Sequence, residues 1–160
     1  MRVSRTMVKK RVALKPPIPM MALIVLVMIL SLSLFSALAS PDEASGVVTS
    51  VQTGDTFKVD GFGMVHLADE YSPQLGTIDG VSAKEFTLEN LMGVEVFLDI
   101  DDGIGRNPGG VTECLVYLSG PGWKPDANRL YNRMMVQAGH ATVKKEAGSE
   151  FDPAGWQSSA

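Results

Sequence analysis

The stretch Gly46–Ala68, GVVTSVQTGDTFKVDGFGMVHLA, contains three short β-rich segments separated by turn residues. Alternating apolar and polar residues in these segments are typical of half-buried strands. Thr53-Gly54-Asp55 supplies the first turn and Asp60-Gly61 supplies a hairpin signal. We therefore expect an antiparallel meander of three strands, Gly46–Val51, Thr56–Val59 and Met64–Ala68.

The sequence beyond the meander predicts two helices and two more strands. Ser82 and Glu85 form a capping box, Val81 and Phe86 a hydrophobic staple, and Gly93 ends this first helix. A second helix is expected from about Pro125 to Ala138. Three strands, a helix, two strands and a helix suit a small, partly open barrel of the OB type. The predicted fold is mainly β (α+β), an OB-fold five-stranded barrel with two packed helices, its last strands being Val94–Leu98 and Cys114–Leu118.

The amino terminus carries the signature of an export segment. Residues 1–39 contain six basic residues and no acidic one, and an apolar run from Met20 to Ala39 is long enough to span a bilayer as a helix. Ala37-Leu38-Ala39 is an A-x-A pattern that a signal peptidase accepts. A cleaved signal peptide and a retained membrane anchor are both consistent with the run, and a buried core helix is the minor alternative. In the first two cases the domain is exported, either secreted or anchored outside the membrane.

Charge and composition divide the chain into four parts. After the basic segment 1–39 we expect a linker at 40–45, a folded domain at 46–145 and a flexible tail at 146–160. From Ser40 onward 8 basic and 18 acidic residues remain, a formal charge of −10. Such a domain repels phosphate backbones, which disfavours nucleic acid as a partner. The single cysteine, Cys114, excludes a disulfide framework and is expected to be a buried thiol.

Five motifs, in order along the chain, resemble the staphylococcal nuclease (thermonuclease) domain family. They are V-x-x-V-x-x-G-D-T at Val48–Thr56, H-L-A-D-E-Y-S-P at His66–Pro73, S-A-K-E-F-T-L-E-N-L at Ser82–Leu91, L-V-Y-L at Leu115–Leu118 and N-x-x-M-V-x-x-G-x-A-x-V at Asn132–Val143. The resemblance implies an OB-type barrel and Ca²⁺-dependent hydrolysis of phosphodiester bonds in DNA and RNA. In that family two aspartates and a backbone carbonyl hold Ca²⁺, a glutamate activates water, and two arginines neutralise the phosphate.

Only one of the family's chemical side chains is retained at the matching positions. Asp55 matches the first metal aspartate, whereas the second falls at Tyr71, which is no hard anionic ligand at neutral pH. Gln74 stands where the general base belongs and cannot accept a proton. His66 and Glu113 stand at the two arginine positions, and Glu113 reverses the sign of the charge. Ser72 stands at the position that lends a backbone carbonyl to the metal.

Other acidic residues offer alternatives. Asp69 or Glu70 is a candidate to rebuild a carboxylate metal site with Asp55, and only one of these neighbours can face it, because adjacent strand residues point to opposite faces. Any Ca²⁺ binding is expected to be weak. The run Asp99, Asp101, Asp102 hints at a calcium loop, but its register does not fit an EF-hand, and an exposed acidic loop is the preferred interpretation.

The aromatic and histidine residues each allow a binding role and a structural role. Tyr117, Trp123 and Tyr131 suggest a stacking platform on an OB surface, with core packing as the favoured alternative. His66 is expected to be a hydrogen-bonded residue of the remnant cleft. His140 is expected to lie at the exit of the second helix.

Three functional hypotheses follow. The first is a catalytically degenerate domain that binds an unidentified protein or polysaccharide. The second is a divergent metal-dependent nuclease that uses Asp55, Asp69 or Glu70, and His66. The third is an OB module that binds nucleic acid without cleaving it. The acidic domain argues against the second and third.

Overall fold

The computed structural model describes residues 43–156, and the expected signal or anchor segment lies outside them. Among the described residues no helix is long and apolar enough to cross a membrane. The elements run in the order β1 (Ala44–Val51), β2 (Thr56–Val59), β3 (Gly63–Leu67), β4 (Glu70–Tyr71), α1 (Ile78–Leu91), β5 (Glu95–Ile100), β6 (Val111–Ser119), β7 (Pro125–Leu130), α2 (Tyr131–Gln137), β8 (Thr142–Val143) and a final 3-10 turn (Pro153–Gly155).

Five strands close into a mixed barrel. β1 pairs antiparallel with both β2 and β5, β2 pairs with β3, and β5 pairs with β6. A parallel pairing of β3 with β6 closes the ring, so the barrel is not open as expected. This mainly β, OB-like architecture with two helices confirms the predicted fold class, including the three-stranded meander.

The barrel interior is filled by the alternating apolar residues of the strands. Phe57, Val65, Leu98 and Val116 are fully buried and belong to one cluster. Ala83 and Leu91 of α1 and Tyr131 and Met135 of α2 belong to the same cluster. The helices thus contribute one apolar face each to the core.

The first helix begins earlier than the capping box predicts. Thr77 is the N-cap, since its Oγ1 accepts a hydrogen bond from the Gly80 amide at 3.0 Å. Ser82 is therefore a helical residue, and Val81 is exposed instead of forming a staple. Gly80 lowers helix propensity, yet it is required here, because a Cβ at this position would collide with the Gln74 carbonyl.

The predicted second helix is half strand. Pro125–Leu130 forms β7, which pairs with β6 and extends the sheet beyond the barrel. Arg129 strengthens this pairing by donating from Nη1 to the Ser119 carbonyl at 2.7 Å. The helix itself begins only at Tyr131, where the apolar stripe becomes buried. Sheet pairing thus overrides the local helix signal of Pro125.

The segment 146–156 is packed against the barrel, which corrects the expectation of a flexible tail for this part of the chain. Trp156 is buried with Ala68, Leu115 and Leu130 in a second apolar cluster. Asp69 accepts hydrogen bonds from the Glu146 amide and the Ser149 hydroxyl, both at 2.7 Å. Burial of a large aromatic side chain and these hydrogen bonds compensate for the lack of periodicity.

Candidate functional site

A partly buried histidine, His66, is held between two carboxylates on one side of the barrel. The parallel pairing of β3 and β6 sets His66 beside Glu113, and the pairing of β2 and β3 sets His66 beside Thr56, which follows Asp55. His66 Nδ1 lies 2.8 Å from Glu113 Oε2, and Nε2 lies 3.6 Å from Asp55 Oδ2. Asp55, His66 and Glu113, which the resemblance to the nuclease family implied as site positions, are thus in contact with one another through His66.

This arrangement fixes the charge of the imidazole. Burial lowers the pKa of His66, but the ion pair with Asp55 and the hydrogen-bonded ion pair with Glu113 outweigh it and raise the pKa to about 10. The ring is therefore an imidazolium at neutral pH. Its positive charge is shared by two carboxylates, so the trio carries a net negative charge.

Asp55 is fully engaged by the protein itself. Its Oδ1 accepts hydrogen bonds from the hydroxyls of Thr53 at 2.7 Å and Thr56 at 3.1 Å. Its Oδ2 accepts from the Ser72 amide at 2.8 Å and faces His66. Burial raises the pKa of Asp55, but the ion pair with His66 and the hydrogen bonds from Thr53 and Ser72 hold it well below its usual range. A metal ion would have to displace these donors.

The remaining family positions line the same cleft, which encloses about 220 Å³. Tyr71 is 43 % exposed, and the Lys144 ammonium lies 5.8 Å from the centre of its ring. Ser72 turns its amide toward Asp55. Gln74 is exposed at the rim of the cleft, and its backbone carbonyl accepts from the Thr77 hydroxyl at 2.8 Å. None of these three side chains is a carboxylate.

The neighbours Asp69 and Glu70 point to different places. Asp69, with φ at +56°, forms an ion pair with Lys145 at 3.4 Å and accepts hydrogen bonds from the segment 146–156, so it does not face Asp55 as a second metal ligand. Glu70 is buried and neither of its carboxylate oxygens has a hydrogen-bond partner. Burial, followed by the charge of Asp55, raises the pKa of Glu70 well above its usual value, although His66 opposes this.

Among the described residues no arginine lines the His66 cleft, where the nuclease resemblance implied two. Arg106 donates from Nε to the Thr112 hydroxyl at 3.1 Å and lies over the Phe62 ring. Because Thr112 and Glu113 are adjacent in β6, their side chains project from opposite faces of the strand. The guanidinium is therefore on the face of the sheet away from the His66 site.

The acidic run of residues 99–102 is not wholly exposed, contrary to expectation. Asp101 is fully buried, and its Oδ1 accepts from the amides of Gly103 at 2.9 Å and Ile104 at 3.1 Å. The pKa of Asp99 is raised to about 6 by burial and then by the charges of Glu43, Glu150, Asp102 and Asp101. We call these five carboxylates the acidic end.

The aromatic residues do not form a stacking platform. Tyr131 is a core residue whose hydroxyl donates to Thr87 at 3.1 Å, Tyr117 is half-buried, and Trp123 is 77 % exposed. His140 packs its ring against Phe86, with centroids 4.5 Å apart. Cys114 is the expected buried thiol, and burial raises its pKa.

Metal ligands do not converge in the part of the chain that the structure covers: residues 43–156 contain no group of three or more His, Cys, Asp or Glu side chains that could hold an ion. The sequence interpretation missed the two threonines that clamp Asp55, although Thr53 and Thr56 flank it in the motif. It also missed the exposed apolar residues around the start of α1, because it placed the N-cap at Ser82, five residues after Thr77.

No protein-family model matches this chain, and no curated protein is significantly similar to it. The likeness to the staphylococcal nuclease family therefore rests on the five motifs alone.

Proposed function

We propose that the chain is an exported binding module with a staphylococcal-nuclease-like barrel that has lost phosphodiesterase chemistry. The observation that carries this proposal is the pairing of His66 with both Asp55 and Glu113. The same three positions would hold a metal ligand and two phosphate-binding arginines in an active member of that family. In this chain the three side chains form ion pairs with one another instead.

Metal binding is disfavoured at Asp55. Ca²⁺ takes six to eight oxygen ligands, of which carboxylates contribute most of the charge. Both oxygens of Asp55 already accept hydrogen bonds, and Tyr71 replaces the second carboxylate. An ion that binds here must break at least the Ser72 contact, so any Ca²⁺ would be held weakly.

Phosphate binding is disfavoured by charge. Catalysis of phosphodiester hydrolysis needs fixed cations where negative charge develops, and loss of one such donor costs about 2.7–4 kcal/mol of transition-state stabilisation. The cation nearest to Asp55 is His66, and two carboxylates neutralise it. Gln74 supplies no proton acceptor at the rim of the cleft. These substitutions act together, which supports a module without hydrolytic activity.

The partner of such a module is a protein or a polysaccharide rather than a nucleic acid. The chain from Ser40 carries 18 acidic and 8 basic residues, so a polyanion is repelled over long distances. An export segment at the amino terminus supports a partner outside the cytoplasm, reached either by secretion or from the membrane.

The test is a cleavage assay with the full chain, single-stranded DNA or RNA, and Ca²⁺, Mg²⁺ or Mn²⁺. We expect no cleavage above the rate seen with Asp55→Ala. Cleavage that disappears in Asp55→Ala would overturn the proposal. Salt-sensitive binding of the oligonucleotide without cleavage would instead favour a nucleic-acid-binding module.

A divergent metal-dependent nuclease is the second candidate, and Glu70 is the observation that favours it. Its buried carboxyl group has no partner and senses the charge of Asp55. If Glu70 and Asp55 shared a divalent ion, Glu70→Gln would abolish metal-dependent cleavage. Asp69→Asn serves as the control, because Asp69 faces the carboxyl-terminal segment.

A further inference from the structure

An apolar groove lies at the amino-terminal end of α1. It encloses about 490 Å³ and is lined by Gly76, Thr77, Ile78, Val81, Ser82 and Glu85. Ile78 is 88 % exposed and Val81 is 47 % exposed. Two large aliphatic side chains side by side in water are a feature of interaction surfaces.

The groove and the His66 cleft are lined by adjacent segments of the chain. Leu75 lines the cleft and directly precedes Gly76 of the groove. Seven large hydrophobic residues are exposed in the described chain, and four of them lie within residues 71–81, including Tyr71 and Leu75. The exposed apolar surface is thus concentrated at this one place.

The backbone holds the groove in a fixed shape. Thr77 Oγ1 donates to the Gln74 carbonyl at 2.8 Å and accepts from the Gly80 amide at 3.0 Å. Gly80 packs so closely on Gln74 that no Cβ fits between them. A preformed groove reduces the ordering cost of binding a partner.

The charges around the groove are predominantly acidic. Asp79 is exposed next to Ile78 and Glu85 forms part of the groove lining, whereas the one basic residue of α1, Lys84, is half-buried and outside the lining. On the cleft side, Asp55 and Glu113 outnumber His66. The ammonium of Lys144, close to Tyr71, is paired with Glu146 at 3.6 Å. Complementary charge would therefore come from lysine or arginine on the partner.

We propose that this groove binds a basic segment of a partner protein, with a bulky apolar side chain of that segment seated on Ile78 and Val81. Asp79 and Glu85 contact the flanking basic residues. The inference rests on the proposed binding function and specifies its partner. An apolar anchor supplies most of the affinity, and the acidic rim selects against anionic segments.

The experiment measures fluorescence anisotropy of a labelled synthetic peptide with the full chain. The peptide has about 14 residues, with leucine at helical i, i+3, i+4 and i+7 spacing and lysine elsewhere. We expect saturable binding, and no binding of the matched peptide with glutamate in place of lysine. The double variant Ile78→Ser, Val81→Ser should raise Kd at least about tenfold. Met92→Ser is the matched control, because Met92 is exposed at the other end of α1 and should leave Kd unchanged.

A second pair of variants tests the charge. Glu85→Lys should weaken binding, whereas Glu89→Lys, on the same helix but outside the groove lining, should not. An unchanged Kd in Ile78→Ser, Val81→Ser, or equal losses in both lysine variants, would overturn the inference. So would groove-dependent binding to anionic phosphatidylcholine–phosphatidylglycerol vesicles in place of the peptide. None of these outcomes bears on nucleic-acid cleavage, so the proposed function is tested separately.

Discussion

The His66 cleft and the acidic end treat buried charge in opposite ways. In the cleft, Asp55 and Glu113 flank a positive imidazolium, and hydrogen bonds satisfy both oxygens of Asp55. At the acidic end, burial and then the charges of four other carboxylates raise the pKa of Asp99 to about 6. One region pairs its charges, while the other crowds charges of one sign.

At neutral pH the ionised side chains of the His66 cleft stabilise the fold, whereas the ionised carboxylates of the acidic end destabilise it. His66 has a raised pKa, so its contribution to stability is fully present below the ordinary imidazole pKa of 6.5 and is lost as the pH rises through about 10. Asp55 has a lowered pKa, so its contribution is present above 3.8 and is lost in acid. Asp99 has a raised pKa, and its ionisation costs stability as the pH rises from about 4 to about 6.

Removal of the imidazolium should have the largest effect. His66→Ala leaves Asp55 and Glu113 without their shared cation, and breaking a buried ion pair in this way costs about 3–5 kcal/mol of unfolding free energy. Urea denaturation at pH 7 measures the loss. The double variant His66→Ala, Glu113→Gln removes one of the stranded charges and should recover part of it. A loss below about 1 kcal/mol would mean that the cleft is not held by its charges.

Release of the carboxyl-terminal segment should have an intermediate effect. Asp69→Ala removes the acceptor for the Glu146 amide and the Ser149 hydroxyl, at a cost of about 1–3 kcal/mol. Trp156 reports the release: in a Trp123→Phe background its emission should shift to longer wavelength.

The control for this experiment is Asp69→Asn, which keeps a residue that tolerates the positive φ and still accepts hydrogen bonds. It should shift the emission less than Asp69→Ala does. Equal emission in the wild type and in Asp69→Ala would show that Asp69 does not fasten the segment.

Neutralisation of the acidic end should have the smallest effect. Asp99→Asn is expected to raise the free energy of unfolding at pH 7 by about 1 kcal/mol, a value reduced for solvent screening because Asp99 is only partly buried. At pH 4 the gain should vanish, because the wild-type carboxyl group is then largely protonated in the fold. Thermal melting at both values measures the change, and Glu89→Gln, on α1, is the control. A gain of equal size at pH 4 would show that ionisation of Asp99 is not what lowers the stability at pH 7.

The strand pattern was sufficient to predict the five strands of the barrel but not β7, which pairs with β6 beside it. Gly46–Ala68 reads as a meander because turn residues separate alternating segments, and pairing confirms it. Pro125 looks like the first turn of a helix in the sequence, but the free edge of β6 recruits the segment into the sheet. Such pairing depends on residues far away in the chain, which local propensity does not contain.

The sequence predicted which residues form the site but not how their side chains are oriented or paired. The resemblance to the nuclease family implied site positions at Asp55, His66 and Glu113, and these three side chains lie together in the structure. The opposite directions of Asp69 and Glu70 follow from strand alternation, but which of them turns inward depends on the segment that Asp69 binds. No sequence pattern signals an orphaned carboxyl group such as that of Glu70.

The parallel closure of β3 on β6 has a kinetic consequence. His66 and Glu113 are separated by 47 positions in the chain and become neighbours only through this pairing, so their contact cannot form in any local fragment. Loop-closure entropy makes such distant pairings slow relative to hairpins. We therefore expect the ion pair to form in a late folding step. A rise in the pKa of His66 during refolding would report when β3 and β6 pair and close the barrel.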